Sequence, residues 1–278
     1  MKLTAENYYS REANEAYFSV SQVKAFMDCP ARALAELKGE IEPKSSTALL
    51  EGGYVDAHFA GELDAFKREH PEILTKKGTL RAEFERAEEA IARIERDELA
   101  MRMLSGEKQR IVTGEIDGNP FKAKLDVLLS EEQAQAIGRD YPSMSDLIFS
   151  GGAIVDLKYV RDFEPLYREG EGRLNFCEYW RYDLQMAVYR ELVRKERGDA
   201  HGLPCYLLCV TKQAVPALGL FRVPEELMDF RLEKLRTKIL PEIVPVKNGD
   251  AEPERCGGCE YCRETETLDG ARWFPEWA

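Results

Sequence analysis

The residues that most directly suggest chemistry are Asp126, in Lys-Ala-Lys-Leu-Asp-Val-Leu-Leu, and Asp156 with Lys158, in Ile-Val-Asp-Leu-Lys. Residues i and i+2 of a strand point the same way, so Asp156 and Lys158 share a face. If their strand lies beside the one bearing Asp126, two carboxylates and an ammonium converge. Carboxylates held close repel unless a divalent cation sits between them, and Mg2+ takes oxygen ligands while keeping several waters. A water on such an ion, with its pKa lowered, can attack a phosphodiester. Lys158 would orient or deprotonate that water and offset charge on the scissile phosphate. A D-x-K tripeptide by itself also fits an exposed ion pair. Ile154, Val155 and Leu157 instead mark a buried strand, where an unpaired Asp and Lys would be expensive. Gln185 and Tyr189, four apart on the next expected helix, share a face and can reach the same pocket; plain helix packing is the alternative use.

The elements that must position these residues follow from periodicity. Ser19-Val-Ser-Gln22 has a capping-box pattern and predicts a helix from Val20, and Pro30 predicts a second through Leu37. Helical spacing runs from Ala48 to Ala65 and again from Phe84 to Met103. After Gly106 the period changes to two. Gln109 to Ile116 and Phe121 to Leu129 flank Asp117-Gly118, the strongest short hairpin signal in the chain. A polar loop should lead to a strand over Ala153 to Val160. A helix over Phe176 to Val193, strands over Pro204 to Thr211 and Ala217 to Phe221, and a helix over Pro224 to Leu240 complete the pattern. The tail from Pro241 is rich in Pro and Gly and holds three cysteines. Residues 1–105 read as a helical region packed on a core of 106–246, and 247–278 as a cysteine-rich tail, parts of one integrated unit.

With 278 residues, 44% hydrophobic and 32% charged, the chain can bury a sizeable core, which sets aside disordered and fibrous architectures. Its 39 basic and 51 acidic residues give a net charge of -12, against a generally cationic surface but compatible with a carboxylate metal site. No apolar run is long enough to span a membrane, and the start lacks a signal-peptide profile, so a cytoplasmic protein is expected. In a reducing compartment the seven cysteines read as ligands, reactive thiols or core residues rather than a disulfide framework.

The series Leu-Asp126, Ile-Val-Asp156-Leu-Lys158 and Gln185-Met-Ala-Val-Tyr189 resembles the motifs of the PD-(D/E)XK nuclease superfamily, in its RecB-like and RecE-like branch. The segments YFSVSQVKAFMDCPARALAEL, LLEGGYVDAHF, GEIDGNPFKAKLDVLL and PERCGGCEYCRET resemble more closely the phage and prophage exodeoxyribonuclease VIII family, and the likeness spans nearly the whole chain. The resemblance implies a restriction-endonuclease-like α/β core, a mixed sheet flanked by helices, and hydrolysis of DNA supported by Mg2+ or Mn2+. It implies Asp126, Asp156 and the backbone carbonyl of Leu157 as metal ligands and Lys158 as the catalytic lysine. Gln185 and Tyr189 would support the site or touch the DNA. The implied role is resection of double-stranded DNA ends beside a RecT-like single-strand annealing protein, in a possible ring-shaped homo-oligomer. The alternatives are a nuclease acting mainly on single strands and a non-catalytic DNA-binding module with the same fold.

Relatives carry a further ligand four residues after a helical glycine. Here Gly52 leads to Asp56, with His58 two further on. Residues two apart on a helix diverge by about 200°, so only one can face the metals. Register favours Asp56, while ligand chemistry also suits His58. Cys256, Cys259 and Cys262 form C-x2-C-x2-C, a spacing closer to the ligand run of an iron-sulfur cluster than to separated zinc knuckles, and Cys29 is the candidate fourth ligand. Some RecB-like nucleases hold a 4Fe-4S cluster with one early and three late cysteines, so the resemblance implies such a cluster here, with Zn2+ as the alternative. Cys177, Cys205 and Cys209 read as core residues. Tyr179, Trp180 and Tyr182 fit helix packing better than stacking on unpaired bases.

Overall fold

A computed structural model describes residues 1–43, 46–268 and 270. The N-terminal helices are α1 (Arg11–Ala16), α2 (Val20–Asp28), α3 (Pro30–Lys38), α4 (Thr47–Ala60), α5 (Leu63–Glu69), α6 (Ala82–Glu95) and α7 (Glu98–Met103). Ser19 caps α2, its hydroxyl accepting from the Gln22 N–H. The Gln22 side chain donates instead to the Asn14 carbonyl, so the cap is not reciprocal. Two expected helices are each divided. Gly61, with φ of 79°, ends α4 and separates it from α5, and Asp97 caps a new helix, α7, after α6.

The hairpin of β1 (Glu107–Ile116) and β2 (Asn119–Leu129) turns at Asp117-Gly118, whose φ values of 50° and 71° suit a type I′ turn. The stretch expected as a polar loop instead contains α8 (Glu131–Asp140) and a 3-10 segment, Pro142–Phe149. The signal was Ser130 to Gln133, a true capping box in which each side chain satisfies the other's backbone. There follow β3 (Ala153–Val160), a small hairpin of β4 (Leu166–Arg168) and β5 (Gly172–Leu174), α9 (Phe176–Tyr179) and α10 (Tyr182–Arg197). The single helix expected over Phe176 to Val193 is broken because Arg181 adopts a left-handed φ of 54°. β6 (Cys205–Thr211), β7 (Leu218–Arg222), α11 (Glu225–Lys234) and α12 (Leu240–Asn248) come next, with a π-helical turn between the last two. α12 runs into the Pro- and Gly-rich tail and accommodates Pro245 in its interior. A short α13 (Glu260–Glu264) closes the described chain.

The main sheet has the order β1-β2-β3-β6-β7, with β3 and β6 parallel and the other neighbours antiparallel. It is the mixed sheet flanked by helices that the motifs imply. On one face α2, α3, α10, α11 and α12 pack around Ile154, Cys205, Leu207 and Cys209. On the other, α4, α6, α7 and α8 pack around Val155, Leu157, Tyr206 and Leu208. The alternation along β3 and β6 is what a strand buried on both faces requires. Among the described residues no helix is long and apolar enough to cross a membrane.

Candidate active site

Pairing between β2 and β3 covers only Leu129–Ala153, Leu128–Ile154 and Val127–Val155. The next step of that register would set Asp126 opposite Asp156, and there the strands part. Asp126 Oδ2 takes over the acceptor role of a ladder carbonyl, receiving the Leu157 N–H at 2.9 Å. Strict alternation of β2 also fails here, since Leu125 packs in one core and Val127 in the other. On the far side Gln109, with a left-handed φ of 52°, falls in a gap of the β1–β2 ladder opposite Asp126. A non-glycine residue in that region is uncommon and marks a backbone bent for a purpose. The sheet thus forks at the two carboxylates.

Asp156 is 1% exposed. Its Oδ1 accepts from the Gln185 amide at 2.7 Å, and Oδ2 touches the Lys158 ammonium while lacking a hydrogen bond of sound geometry. Asp56, on α4, enters the same electrostatic cluster. Burial pushes its carboxyl up to about 7, assisted by the negative charge of Asp156 and opposed by Lys158 and Lys124. Burial, then Asp156 and Asp56, lifts Asp126 well above the usual carboxylate range. At Lys158 burial opposes the charge, but Asp156, Asp126 and Asp56 together outweigh it and hold the ammonium well above its ordinary value. His58 lies elsewhere: its Nε2 meets Glu95 Oε1 at 2.8 Å, and its ring packs edge-on to Phe59. Of the two alternatives, the structure brings Asp56 to the other carboxylates and turns His58 away.

α10 supplies the third wall. Gln185 donates to both Asp156 and the Tyr189 hydroxyl, the latter at 3.2 Å, so the Q-x-x-x-Y pair acts as a support beneath the carboxylate. Burial, then Asp156 and Asp126, keeps the Tyr189 hydroxyl protonated by raising it well above its ordinary value. The Tyr182 ring lies 5.2 Å from Lys158 Nζ.

The four cysteines form a second centre. Cys29 and Cys262 sulfurs lie 3.5 Å apart, Cys29 and Cys259 3.8 Å, and Cys256 and Cys262 3.9 Å, too far for disulfides. All four sulfurs lie within 4.8 Å of one another and can hold a metal. The Cys259 N–H on its sulfur lowers the Cys256 thiol to about 6, toward the thiolate a metal needs. Cys205 and Cys209 are buried in the core, as expected.

A model of the "PDDEXK-like domain of unknown function (DUF3799)" matches residues 19–265. The chain belongs to this PDDEXK-like family. Among solved structures it is similar to a crystal structure of a candidate exonuclease from Eubacterium rectale. The two are 39% identical, with a TM-score of 0.87, over 100% of this chain and 98% of that one. No curated protein matches. Family and relative together support a nuclease. In this PDDEXK-like chain the donors fit a hard divalent cation: three carboxylates share one partly buried site, and one buried oxygen lacks a hydrogen bond. The Leu157 carbonyl, implied as a further donor, belongs to the residue whose N–H Asp126 fixes.

Lys24 of α2, which belongs to no motif, also stands beside the site. Its Nζ lies 5.3 Å from the Tyr182 ring, on which Lys158 also rests. The available signal was a lysine directly beside the buried stripe Val20, Val23 and Phe26. Glu178 and Asp183, near the start of α10, pair with Arg231.

Proposed function

We propose that the chain is a Mg2+-dependent DNA exonuclease, with Mn2+ an acceptable substitute, that resects double-stranded DNA ends. In this reading it is a cytoplasmic enzyme, and a RecT-like annealing protein takes up the exposed single strand in phage-type recombination. A ring-shaped homo-oligomer is the form that would keep hold of the DNA. The observation that carries the reading is the buried Asp156 carboxylate at the fork, braced by Gln185 on one oxygen and facing Lys158 with the other. Asp56, Asp126, Asp156 and the Leu157 carbonyl would hold the ion. When bound, it supplies a water of lowered pKa and neutralises charge on the phosphate. Lys158 would orient the attacking water and offset charge on the phosphate, while Gln185 would fix the Asp156 carboxylate.

The four thiolates serve as a structural clasp in this proposal. All four sulfurs lie within 4.8 Å of one another, close enough to share one centre, a 4Fe-4S cluster as the C-x2-C-x2-C run implies, with Zn2+ as the alternative. A brown protein containing iron and acid-labile sulfide would identify the cluster.

The test of function is release of nucleotides from end-labelled linear duplex, in Mg2+ and in EDTA, by the intact protein and by Lys158→Ala. Metal-dependent release that disappears in the variant supports the enzyme. Release from single strands alone would move the reading to a single-strand nuclease. No release from either substrate would leave a DNA-binding module.

A further inference from the structure

Two ammonium groups share one aromatic platform beside the carboxylates. Lys158 Nζ lies 5.2 Å and Lys24 Nζ 5.3 Å from the Tyr182 ring centre. Their circumstances differ. Lys158 is committed, ion-paired to Asp156 and held charged by all three carboxylates. Lys24 is half-buried on α2, and among the described residues no carboxylate or carbonyl oxygen accepts its hydrogen bonds. The groups facing it are Asp156 and Lys158 from β3, Asp183 from α10, and Arg181 just before that helix. Both nearby acids already have cationic partners, Asp156 in Lys158 and Asp183 in Arg231. An ammonium with three donors and no acceptor within the chain, beside two other cations, is suited to receive an anion from outside it.

We propose that Lys24 is an anchoring residue for a phosphate of the DNA strand engaged at the carboxylate fork. The assignment rests on the nuclease reading for its ligand and goes beyond it in naming a contact. A phosphate is the anion a cation at this place would serve, because the chain's own charge repels DNA: the net charge is -12, and Asp156 and Asp183 face Lys24. A compact ammonium suits a single phosphate oxygen without demanding a fixed two-point geometry. Burial, then Lys158, lowers Lys24 to about 7, so an arriving anion meets a group whose charge it can restore.

The test measures binding, not cleavage. Anisotropy of a short fluorescein-labelled duplex is recorded with Ca2+ in place of Mg2+ across a salt series, for the intact protein, Lys24→Ala and Lys24→Arg. Losing one phosphate contact should weaken binding by about tenfold and make the slope of log K against log salt shallower by about 0.9. Lys24→Arg should retain most of both. Duplexes with 5′-phosphate and 5′-hydroxyl ends separate the sources of the phosphate. An equal loss assigns an internal phosphodiester, and a loss confined to phosphorylated ends assigns the terminal group. An unchanged slope in Lys24→Ala overturns the proposal, because a merely structural lysine shifts affinity without removing a counterion-releasing contact. Intact protein that binds but cannot cleave removes the nuclease reading and leaves this contact measurable; intact protein that fails to bind overturns both.

Discussion

Asp156 has its two carboxylate oxygens in different circumstances, and that asymmetry grades the expected effects of substitution. Gln185 holds Oδ1 from a rigid helix, so Gln185→Ala frees the carboxylate to rotate without removing it. Groups that orient a ligand typically contribute 10–100-fold, and steady-state nuclease assays of Gln185→Ala should show a loss of about that size. Lys158→Ala removes a charge facing the phosphate and should cost on the order of 10²–10³-fold or more in kcat. Asp56 and His58 make a paired test of the geometry. Asp56→Asn should reduce activity by about 100-fold or more, whereas His58→Ala, which disrupts contacts with Glu95 and Phe59 away from the carboxylates, should stay within about threefold. A large loss in His58→Ala with an active Asp56→Asn would reverse the assignment. The side-chain types of the site were legible because D-x-K and Q-x-x-x-Y are local patterns. Lys24 was not, since its partner Tyr182 lies far along the chain.

Elements were legible where one period dominates and illegible where caps compete with it. β3 appears with the bounds that its apolar run implies, because a strand buried on both faces tolerates no other pattern. The fork of β2 and β3 could not be read, as it depends on the backbone at Gln109 and on a side chain standing in for a ladder carbonyl. α8 was hidden by its polar surface despite the Ser130 cap. The cysteine clasp joins the start of α3 to the tail and α13, so metal removal releases both from the core. Stripping the metal, or Cys262→Ser, should lower Tm by on the order of 10 °C in differential scanning fluorimetry, the consequence of several kcal/mol lost in a chain of this size. An unchanged Tm would show that the thiols carry no metal. Lys247 ties α12 to the N-terminal segment, donating to the Tyr17 carbonyl and Gln22, and burial, then Lys122, lowers it to about 7. Its folded value thus lies below the unfolded 10.5, so the unfolded chain binds more protons between those limits and stability rises with pH from about 7 towards 10. Lys247→Met should flatten the rise in Tm between pH 7 and 9, whatever it does to Tm itself.

At the scale of the whole molecule, the net charge of -12 sets a condition on how the proposed DNA substrate can be engaged. A uniformly acidic surface repels a polyanion over about a Debye length, so attraction must come from a few local cations and from ions bound at the carboxylates. Lys24, Lys108 and Lys124 stand near the fork, and Lys158 is neutralised by its acids. Affinity for a DNA end should therefore depend on a divalent cation even where no bond is cleaved. Anisotropy titrations at fixed ionic strength should show binding at least about tenfold tighter in Ca2+ than in EDTA, with the difference confined to protein that retains Asp126 and Asp156. The double variant Asp126→Asn, Asp156→Asn provides the control. It removes the ion site and two negative charges together, so it should bind DNA equally in either condition and more tightly than the intact protein does in EDTA. Equal binding by the intact protein with and without the cation would separate DNA engagement from the carboxylate site and leave the fork as a purely structural feature.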